Sequence, residues 1–437
     1  MRCGGGHAMN LSLTWIFVGF VLYLLAGGLF SRPERMYQFP FLAGVMTFGF
    51  LLPQLPALVY DQFLPSGAYA KTMIMGILSF AMLVIGWRMT KKPIRFLRMS
   101  FSERRLIWAA AGLSAFGAVF YFLLSRLPGD VSIGMQMTGM PVVYLFFAQL
   151  MPYGLAIAVL CFARRPSWSA LAIILFDLVF YLDRILVTGK RAETIQLVLM
   201  FLLAFWFYRR IVVPRTVMAI GILAGTFLMT SMGDYRQVTR TDASFVLDEI
   251  LEIDYAANFR STLERGGPEM RNAVQRIDEI DRRLEFDYGK YHWNRIIFTF
   301  VPAQLVGGDV KEALYLNVPE PSRDYNPLTG TTETGLVDAF SSFWYFGALK
   351  FLVLAWAMRR LWETAMAGEM LGQLVYMLSI VPAMHSISHH TDWVVPVWIH
   401  MSLFLIPVLS FCVIRNRSIH LPLPASHSGK LQEGWSS

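Results

Sequence analysis

Long apolar runs recur along most of this chain, and they constrain its fold more than any other feature of the sequence. Each run has roughly 17 to 25 residues, which is the length that an α-helix needs to cross the hydrocarbon core of a bilayer. Charged residues make up 16% of the chain, whereas a soluble domain contains about 25%. The sequence therefore predicts an all-α, polytopic integral membrane protein.

Hydropathy and length predict about eleven membrane spans. The spans are Leu11–Phe30, Phe39–Tyr60, Ala68–Trp87, Leu106–Leu124, Pro141–Phe162, Trp168–Val187, Ala192–Tyr208, Thr216–Met232, Leu336–Ala357, Met370–Ile387 and Trp393–Val413. They divide the chain into a bundle of about eight helices (residues 1–232), a large polar loop (233–335), a three-helix membrane segment (336–414) and a tail (415–437). A loop of this length is uncommon and is usually either functional or disordered.

The Lys and Arg residues between the spans predict the orientation of the bundle. The connection after the third span holds seven of them between Arg88 and Arg105. Because basic connections remain in the cytoplasm, the N-terminus is expected outside and the C-terminus inside. The large loop then lies outside, which in a bacterial inner membrane is the periplasmic side.

The sequence lacks the motifs that mark several function classes. The three cysteines, Cys3, Cys161 and Cys412, show no metal or redox spacing. No Walker motif, Gly-x-Gly-x-x-Gly, Gly-x-Ser-x-Gly or Asp-x-Asp is present. The net charge of +8 is expected from short basic loops rather than from a nucleic-acid surface. We therefore predict neither a cofactor, a resident metal ion nor a nucleic-acid partner.

A group of cations falls on the predicted outer side near the ends of the spans, where the rule that keeps basic residues inside disfavours them. These cations are Arg184, Lys190 and Arg191 between the sixth and seventh spans, with Arg236 and Arg240 after the eighth. Guanidinium groups bind phosphate oxygens bidentately and stay charged, so the group predicts an electropositive pocket at the membrane boundary. Unrelated interfacial cations are the alternative.

The sequence offers several titratable candidates within or near the spans. Asp177 lies near the middle of its span, where a carboxylate needs a partner or a water-filled cavity. His385 and His389 share one helix face, which suits a base, a metal ligand or a merely polar helix end. His292 is the only histidine of the large loop and is a second candidate base.

The large loop also contains a predicted surface helix at Pro268–Phe286. The pairs Asp278–Arg282 and Glu279–Arg283 have the i,i+4 spacing of helical ion pairs. Because the carboxylates of this helix alternate with arginines, we interpret them as a solvated face rather than as an acid/base site.

Three short segments, taken in order, resemble the O-antigen polymerase (Wzy-type) family of oligosaccharide repeat-unit polymerases. Thr188–Ala192 contains Gly189 and opens a span, as the Gly-x-Arg segment does in that family. Ile296–Pro302 is an apolar stretch that ends in proline inside the large loop. Glu333–Gly347 is similar to the segment that enters the next helix. The family's arginine after the loop proline is missing, because Ala303 and Gln304 follow Pro302 here.

The resemblance implies a glycosyltransferase with a GT-C-like bundle that joins undecaprenyl-pyrophosphate-linked repeat units into O-antigen or exopolysaccharide. Both donor and acceptor would be lipid-linked, and a flippase and a chain-length regulator would be pathway partners. The pyrophosphate would be held by Arg184, Lys190, Arg191, Arg236 and Arg240. The base that accepts the acceptor's proton would be His292, Glu333 or His389.

Two other functions remain open from the sequence. An O-antigen ligase would use the same lipid-linked donor, and it would need a base histidine in the large loop. A transporter of lipid-linked or anionic glycans belongs to a different class, and transporters usually show internal repeats and broken helices. We find no internal repeat in this sequence.

Overall fold

The structure is a computed structural model that describes residues 4–127, 139–186, 191–241, 247–322, 325 and 332–414. Within those ranges every regular element is a helix. Nine helical segments are long and apolar enough to cross a membrane: His7–Ser31, Phe39–Val59, Ala68–Arg88, Glu103–Ser125, Met140–Arg164, Ala192–Arg209, Gly335–Met366, Met370–Ser388 and Thr391–Cys412. The prediction of an all-helical chain with multiple membrane spans is confirmed for this part.

The described α-helices are numbered in chain order. The first ten are α1 (Gly4–Ala26), α2 (Phe39–Met46), α3 (Leu55–Val59), α4 (Ala68–Arg88), α5 (Glu103–Ser125), α6 (Met140–Ala148), α7 (Leu150–Arg164), α8 (Trp168–Leu186), α9 (Arg191–Arg209) and α10 (Arg215–Thr230). The loop region holds α11 (Met232–Thr241), α12 (Leu247–Leu251), α13 (Tyr255–Arg265), α14 (Pro268–Arg283), α15 (Lys290–Phe300), α16 (Ala303–Val306) and α17 (Gly308–Ala313). The last four are α18 (Gly335–Phe343), α19 (Leu349–Met366), α20 (Met370–Ser388) and α21 (Val394–Cys412).

Two of the eleven predicted spans are helices that fall short of the length or apolarity of a spanning helix. The sixth corresponds to α8, which carries Asp177, Asp183 and Arg184 within 19 residues. The eighth corresponds to α10, which is apolar but has only 16 residues. Since a straight helix rises about 1.5 Å per residue, α10 is shorter than the hydrocarbon core.

The predicted ninth span is broken into two helices. Between α18 and α19 the chain forms a 3-10 turn over Trp344–Ala348. A Cβ at Gly347 would stand 1.7 Å from the carbonyl oxygen of Ala339, so only glycine allows the chain to fold back this closely. The break brings the start of α19 next to α18.

The beginning of α18 packs tightly against the end of α20. A Cβ at Gly335 would stand 1.9 Å from the carbonyl oxygen of Ser386. The absence of a side chain therefore sets this close approach, and it brings α18 near the turn that follows α20.

The loop region is packed onto the bundle through α14. Its apolar face, which includes Met270, Val274 and Ile277, is buried. Lys71 of α4 bonds to Asp278 at 3.0 Å and to Asp281 at 2.6 Å. These contacts fix the loop to the start of α4.

The predicted ion pairs of α14 exist, but their interpretation as a solvated face is wrong. Arg282 lies 2.9 Å from Asp278, and Arg283 lies 3.3 Å from Glu279. Both acids are buried, with 3% and 6% of their surface exposed. Their position against α4 and the segment that ends at Ser322 explains this burial, because i,i+4 spacing is a local property and says nothing about what covers the helix.

The two ends of the bundle differ in what packs there. The loop end is the one at which residues 247–322 pack, beside the start of α4. The basic end is the opposite one, where α4 ends at Arg88 and the connection of residues 89–102 packs against α19 and α21.

Candidate functional site

The predicted arginine pocket is described only in part. Gly189 and Lys190 lie outside the described residues, and for Arg191, Arg236 and Arg240 only the backbone, in α9 and α11, is described. The pocket therefore stays a prediction.

Arg184 is the one member of that predicted group whose side chain the structure describes. Its guanidinium bonds to Glu193 and lies 4.6 Å from the centre of the Tyr121 ring. The side chain is 13% exposed. This environment gives Arg184 a role in joining α5, α8 and α9.

Asp177 has a hydrogen-bond partner within the bundle. It is buried on α8, and the hydroxyl of Ser114 on α5 donates to its Oδ2 at 2.7 Å. The carboxylate thus has the interhelical partner that a charge inside a membrane requires.

A cluster of charged and titratable side chains lies at the loop end, where α15, the α18–α19 break and the turn after α20 meet. We call it the Asp338 cluster, and it consists of Asp338, His292, Lys350, His390 and Asp392. His390 and Asp392 share one turn, while the other members come from segments that are distant in the sequence or separated by the helix break. The cluster therefore depends on tertiary packing.

Asp338 is the centre of the cluster and is 2% exposed. The Thr391 backbone N–H donates to its Oδ2 at 2.9 Å, and the Thr391 hydroxyl also donates to that oxygen. Three side-chain nitrogens surround the carboxylate at 3.4–3.6 Å: Lys350 Nζ, His292 Nε2 and His390 Nδ1. Such neighbours stabilise the ionised form of a buried acid.

Lys350 is held by the helix break. Its ammonium donates to the Ser342 hydroxyl at 2.7 Å and approaches the carbonyl oxygen of Asp338 at 3.4 Å. Ser342 lies in the last turn of α18, where the helix dipole favours a cation, and Asp338 lies in the first turn of the same helix. The broken span therefore places a lysine beside the carboxylate of its own first half.

His292 lies between a cation and an anion. Its Nε2 is 2.6 Å from Lys350 Nζ, and its Nδ1 is 3.5 Å from Asp392 Oδ2. Because an ammonium only donates, Nε2 accepts, and the ring proton is assigned to Nδ1, facing Asp392. Arg295 also binds Asp392, at 3.0 Å. Nδ1 of His292 thus faces a carboxylate at ion-pair distance, without a hydrogen bond between the two atoms, and His292 is a candidate general base.

His390 is a member of the cluster, and Glu333 lies beside it in a small cleft that Asp338 also lines. The His390 ring stacks on Tyr291 with 4.6 Å between ring centres. Burial alone would lower the pKa of His390, but Asp338, Glu333 and Asp392 outweigh it and raise the pKa. Burial raises the pKa of the Glu333 carboxyl. Glu333 is therefore next to the cluster, and its role as a base stays a prediction.

His389 points into a different environment. Its Nδ1 is 2.8 Å from the Ser388 hydroxyl, and its ring lies 5.1 Å from the rings of His385 and Trp393. Arg295 stacks on Trp393 at 4.9 Å. The two predicted helical histidines therefore belong to an aromatic packing group beside the cluster.

An apolar groove of about 550 Å³ extends from the Asp338 cluster between α19 and α21. Its polar end is formed by His292, Lys350, Thr391 and Asp392. Its walls are apolar and include Phe346, Val353, Val395 and Trp398. Phe346 and Val353 are largely exposed, so the groove opens on the side of the bundle that faces lipid in a membrane.

The Asp338 cluster thus places a candidate proton acceptor and candidate anion-binding groups at the end of a lipid-facing groove. His292 can accept a proton, while Lys350 and Arg295 can bind an anionic group. Within the part of the chain that the structure describes, no three His, Cys, Asp or Glu residues form a group that could hold a metal ion. The prediction of a metal-independent site stays a prediction.

Sequence reasoning did not select Asp338 or Lys350 as site residues, although a signal was present. They are the charged residues of the otherwise apolar predicted span Leu336–Ala357. An ionisable side chain in such a segment marks a functional-site candidate. The high hydropathy of the segment predicts one uninterrupted span, and this prediction gives no reason to place the two charged side chains in a site.

Comparison of the chain with protein-family models, with curated proteins and with solved structures gave no match in any of the three. The site geometry and the sequence motifs are therefore the observations that bear on function.

Proposed function

We propose that this chain is a membrane glycosyltransferase that polymerises lipid-linked oligosaccharide repeat units, with the Asp338 cluster as its reaction site. The observation that carries the proposal is the groove of about 550 Å³ whose apolar walls lead to His292, Lys350 and Asp392. A polyprenyl chain fits apolar walls that open toward lipid, and its pyrophosphate fits the cations at the polar end.

The donor brings its own energy in the bond between its sugar and the pyrophosphate. In the reaction, that C1–O bond breaks and its electron pair leaves with the pyrophosphate. The acceptor's hydroxyl oxygen forms the new bond to C1, and its proton passes to Nε2 of His292. Lys350 moves from His292 to the leaving pyrophosphate and offsets its charge.

Asp392 supports this step from the other side of the imidazole. It lies 3.5 Å from Nδ1 of His292, so it stabilises the imidazolium ion that proton transfer creates. Asp338 stabilises Lys350 and His390 in their charged forms from 3.4 and 3.6 Å.

The cell compartment follows from the predicted orientation. The loop end would face the periplasm of a bacterial inner membrane, where a flippase delivers undecaprenyl-linked repeat units and a chain-length regulator acts. The arginine pocket around Arg191 would serve as a second pyrophosphate site for the acceptor lipid.

An O-antigen ligase is the second candidate, and one observation favours it. That function needs a base histidine in the large loop, and His292 of the loop lies within the Asp338 cluster. The chemistry at the donor is the same, so the acceptor alone separates the two functions.

The surface glycan of a deletion strain separates these functions. Single repeat units in place of long chains support a polymerase, whereas long lipid-linked chains that never reach their acceptor indicate a ligase. Repeat units trapped on the inner leaflet would overturn both and indicate a transporter. Complementation with the wild-type gene, but not with His292→Ala, ties the phenotype to the site.

A further inference from the structure

A second cavity, of about 590 Å³, opens at the basic end and shares no lining residue with the groove at the Asp338 cluster. It lies between the ends of α1 and α4 and the segment of residues 32–41. Its lining includes one acid, Glu34, and five cations, which are Arg32, Arg35, Arg88, Lys91 and Arg359. We call it the basic pocket.

Most cations of the basic pocket are not neutralised by the protein. In the described ranges, the ion pairs at this end join Arg98 to Glu369 and Arg359 to Glu363, and neither includes the other four lining cations. Arg88 donates to the Tyr23 hydroxyl, which is a neutral group. The pocket therefore carries a positive charge that is available to a ligand.

The other wall of the basic pocket is apolar. It is formed by Leu24, Phe41, Val84 and Trp87, which belong to the membrane helices α1, α2 and α4. Trp87 also carries the Arg359 guanidinium on its ring at 5.1 Å. Cations on one side and apolar side chains on the other match an amphiphile with a phosphate headgroup.

The predicted orientation of the bundle in the membrane does not by itself explain why these cations line one cavity. The rule that keeps basic residues in the cytoplasm requires cations near the helix ends, but it does not require them to converge on one cavity. The neighbouring cations Arg95 and Arg104 lie at the same end without lining the pocket. They satisfy the orientation rule equally well and provide a matched comparison.

We propose that the basic pocket binds the phosphate headgroup of an anionic phospholipid, whose acyl chains lie along the apolar wall. Arginine binds phosphate oxygens bidentately, and anionic lipids concentrate such headgroups at the membrane surface. This inference concerns the end of the bundle opposite the reaction site and does not rest on the proposed glycosyl transfer.

The test measures lipid retention by the full-length protein with native mass spectrometry. Purified protein is titrated with phosphatidylglycerol and, separately, with phosphatidylcholine. The double variant Arg32→Gln/Arg35→Gln should bind phosphatidylglycerol about 10- to 30-fold more weakly, as expected for the loss of two cations at an anionic surface. The control variant Arg95→Gln/Arg104→Gln should bind it like the wild type. Lys91→Gln serves as a second pocket variant if the double variant does not fold.

Three results would overturn the proposal. One is equal binding of phosphatidylcholine and phosphatidylglycerol by the wild type. Another is an equal loss of affinity in the pocket and control variants, which would indicate nonspecific surface charge. The third would come from a separate titration with inorganic phosphate. If phosphate binds at the pocket while phosphatidylglycerol does not, the ligand is a soluble anion and the lipid assignment is wrong.

Discussion

At the loop end, Lys350, Arg295 and His390 each lie beside a carboxylate, whereas at the basic end Arg32 and Arg35 line a cavity without an ion pair to any described residue. The loop-end charges are largely buried and hold one another in a fixed geometry. The basic-end cations are exposed and keep their charge for a ligand. Coupled pairs suit proton transfer and charge stabilisation in a reaction, while unpaired cations suit binding of an anion.

The largest effect should come from His292, and His389 provides the matched control. His292→Ala removes the proposed base and should lower transfer by about 10²- to 10⁴-fold. His389→Ala, in the aromatic group beside the cluster, should change the rate by less than about threefold, because it removes no group that meets the reacting atoms. Transfer is measured with purified protein and a lipid-linked glycan. Equal losses in both variants would contradict the assignment of the base.

Asp338→Asn should destabilise the loop end. The substitution removes the carboxylate that pairs with Lys350 and the nearest of the carboxylates around His390, and breaking a buried ion pair in this way costs about 3–5 kcal/mol. The unfolding midpoint in detergent measures this loss, and Asp309→Asn on the exposed helix α17 is the control. Matching midpoints for the two variants would show that the cluster charges are not coupled.

Arg191→Ala tests whether the predicted arginine pocket acts together with the Asp338 cluster. We expect a loss of about 10²- to 10³-fold in transfer, typical for removing one group that stabilises developing charge, with unchanged protein abundance. Arg191→Lys should restore only part of the activity, because lysine does not bind phosphate bidentately. Normal chain lengths from Arg191→Ala would restrict the site to the Asp338 cluster.

The raised pKa of His390 predicts a pH dependence of stability at the loop end. A base whose pKa is higher in the folded state contributes stability below its ordinary pKa of 6.5, and this contribution is lost as the pH rises through the folded value. The unfolding midpoint should therefore fall on the alkaline side of pH 6.5. In His390→Gln this decline should be smaller, and an identical pH profile would show that His390 is not the group responsible.

The smallest effect concerns the attachment of the loop. Lys71→Met removes the bonds to Asp278 and Asp281 and should cost about 1 kcal/mol, since the lysine is partly exposed. Limited proteolysis within residues 247–322 should become faster. Lys92→Met at the basic end should leave the proteolysis rate unchanged, and an equal rate in the two variants would mean that this bridge does not hold the loop.

The sequence alone determined the class of the protein and the existence of a long polar insertion between membrane helices. Those conclusions rest on hydropathy and length, which are local properties of a chain. The sequence also pointed to His292, because it is the only histidine of this loop, and to Glu333, because it begins the segment that resembles the polymerase family. It did not distinguish His292 from His389, since helical spacing does not reveal what faces a side chain.

Only the tertiary structure decided which charges meet. Lys350 and His292 are 58 residues apart, and Thr391 and Asp338 are 53 apart, yet each pair is in hydrogen-bond contact. The break at Gly347 and the close approach at Gly335 bring these segments together, although neither glycine stands out in the sequence. The same packing buries Asp278 and Glu279, because burial depends on which distant helix covers a face, and no local pattern contains that information.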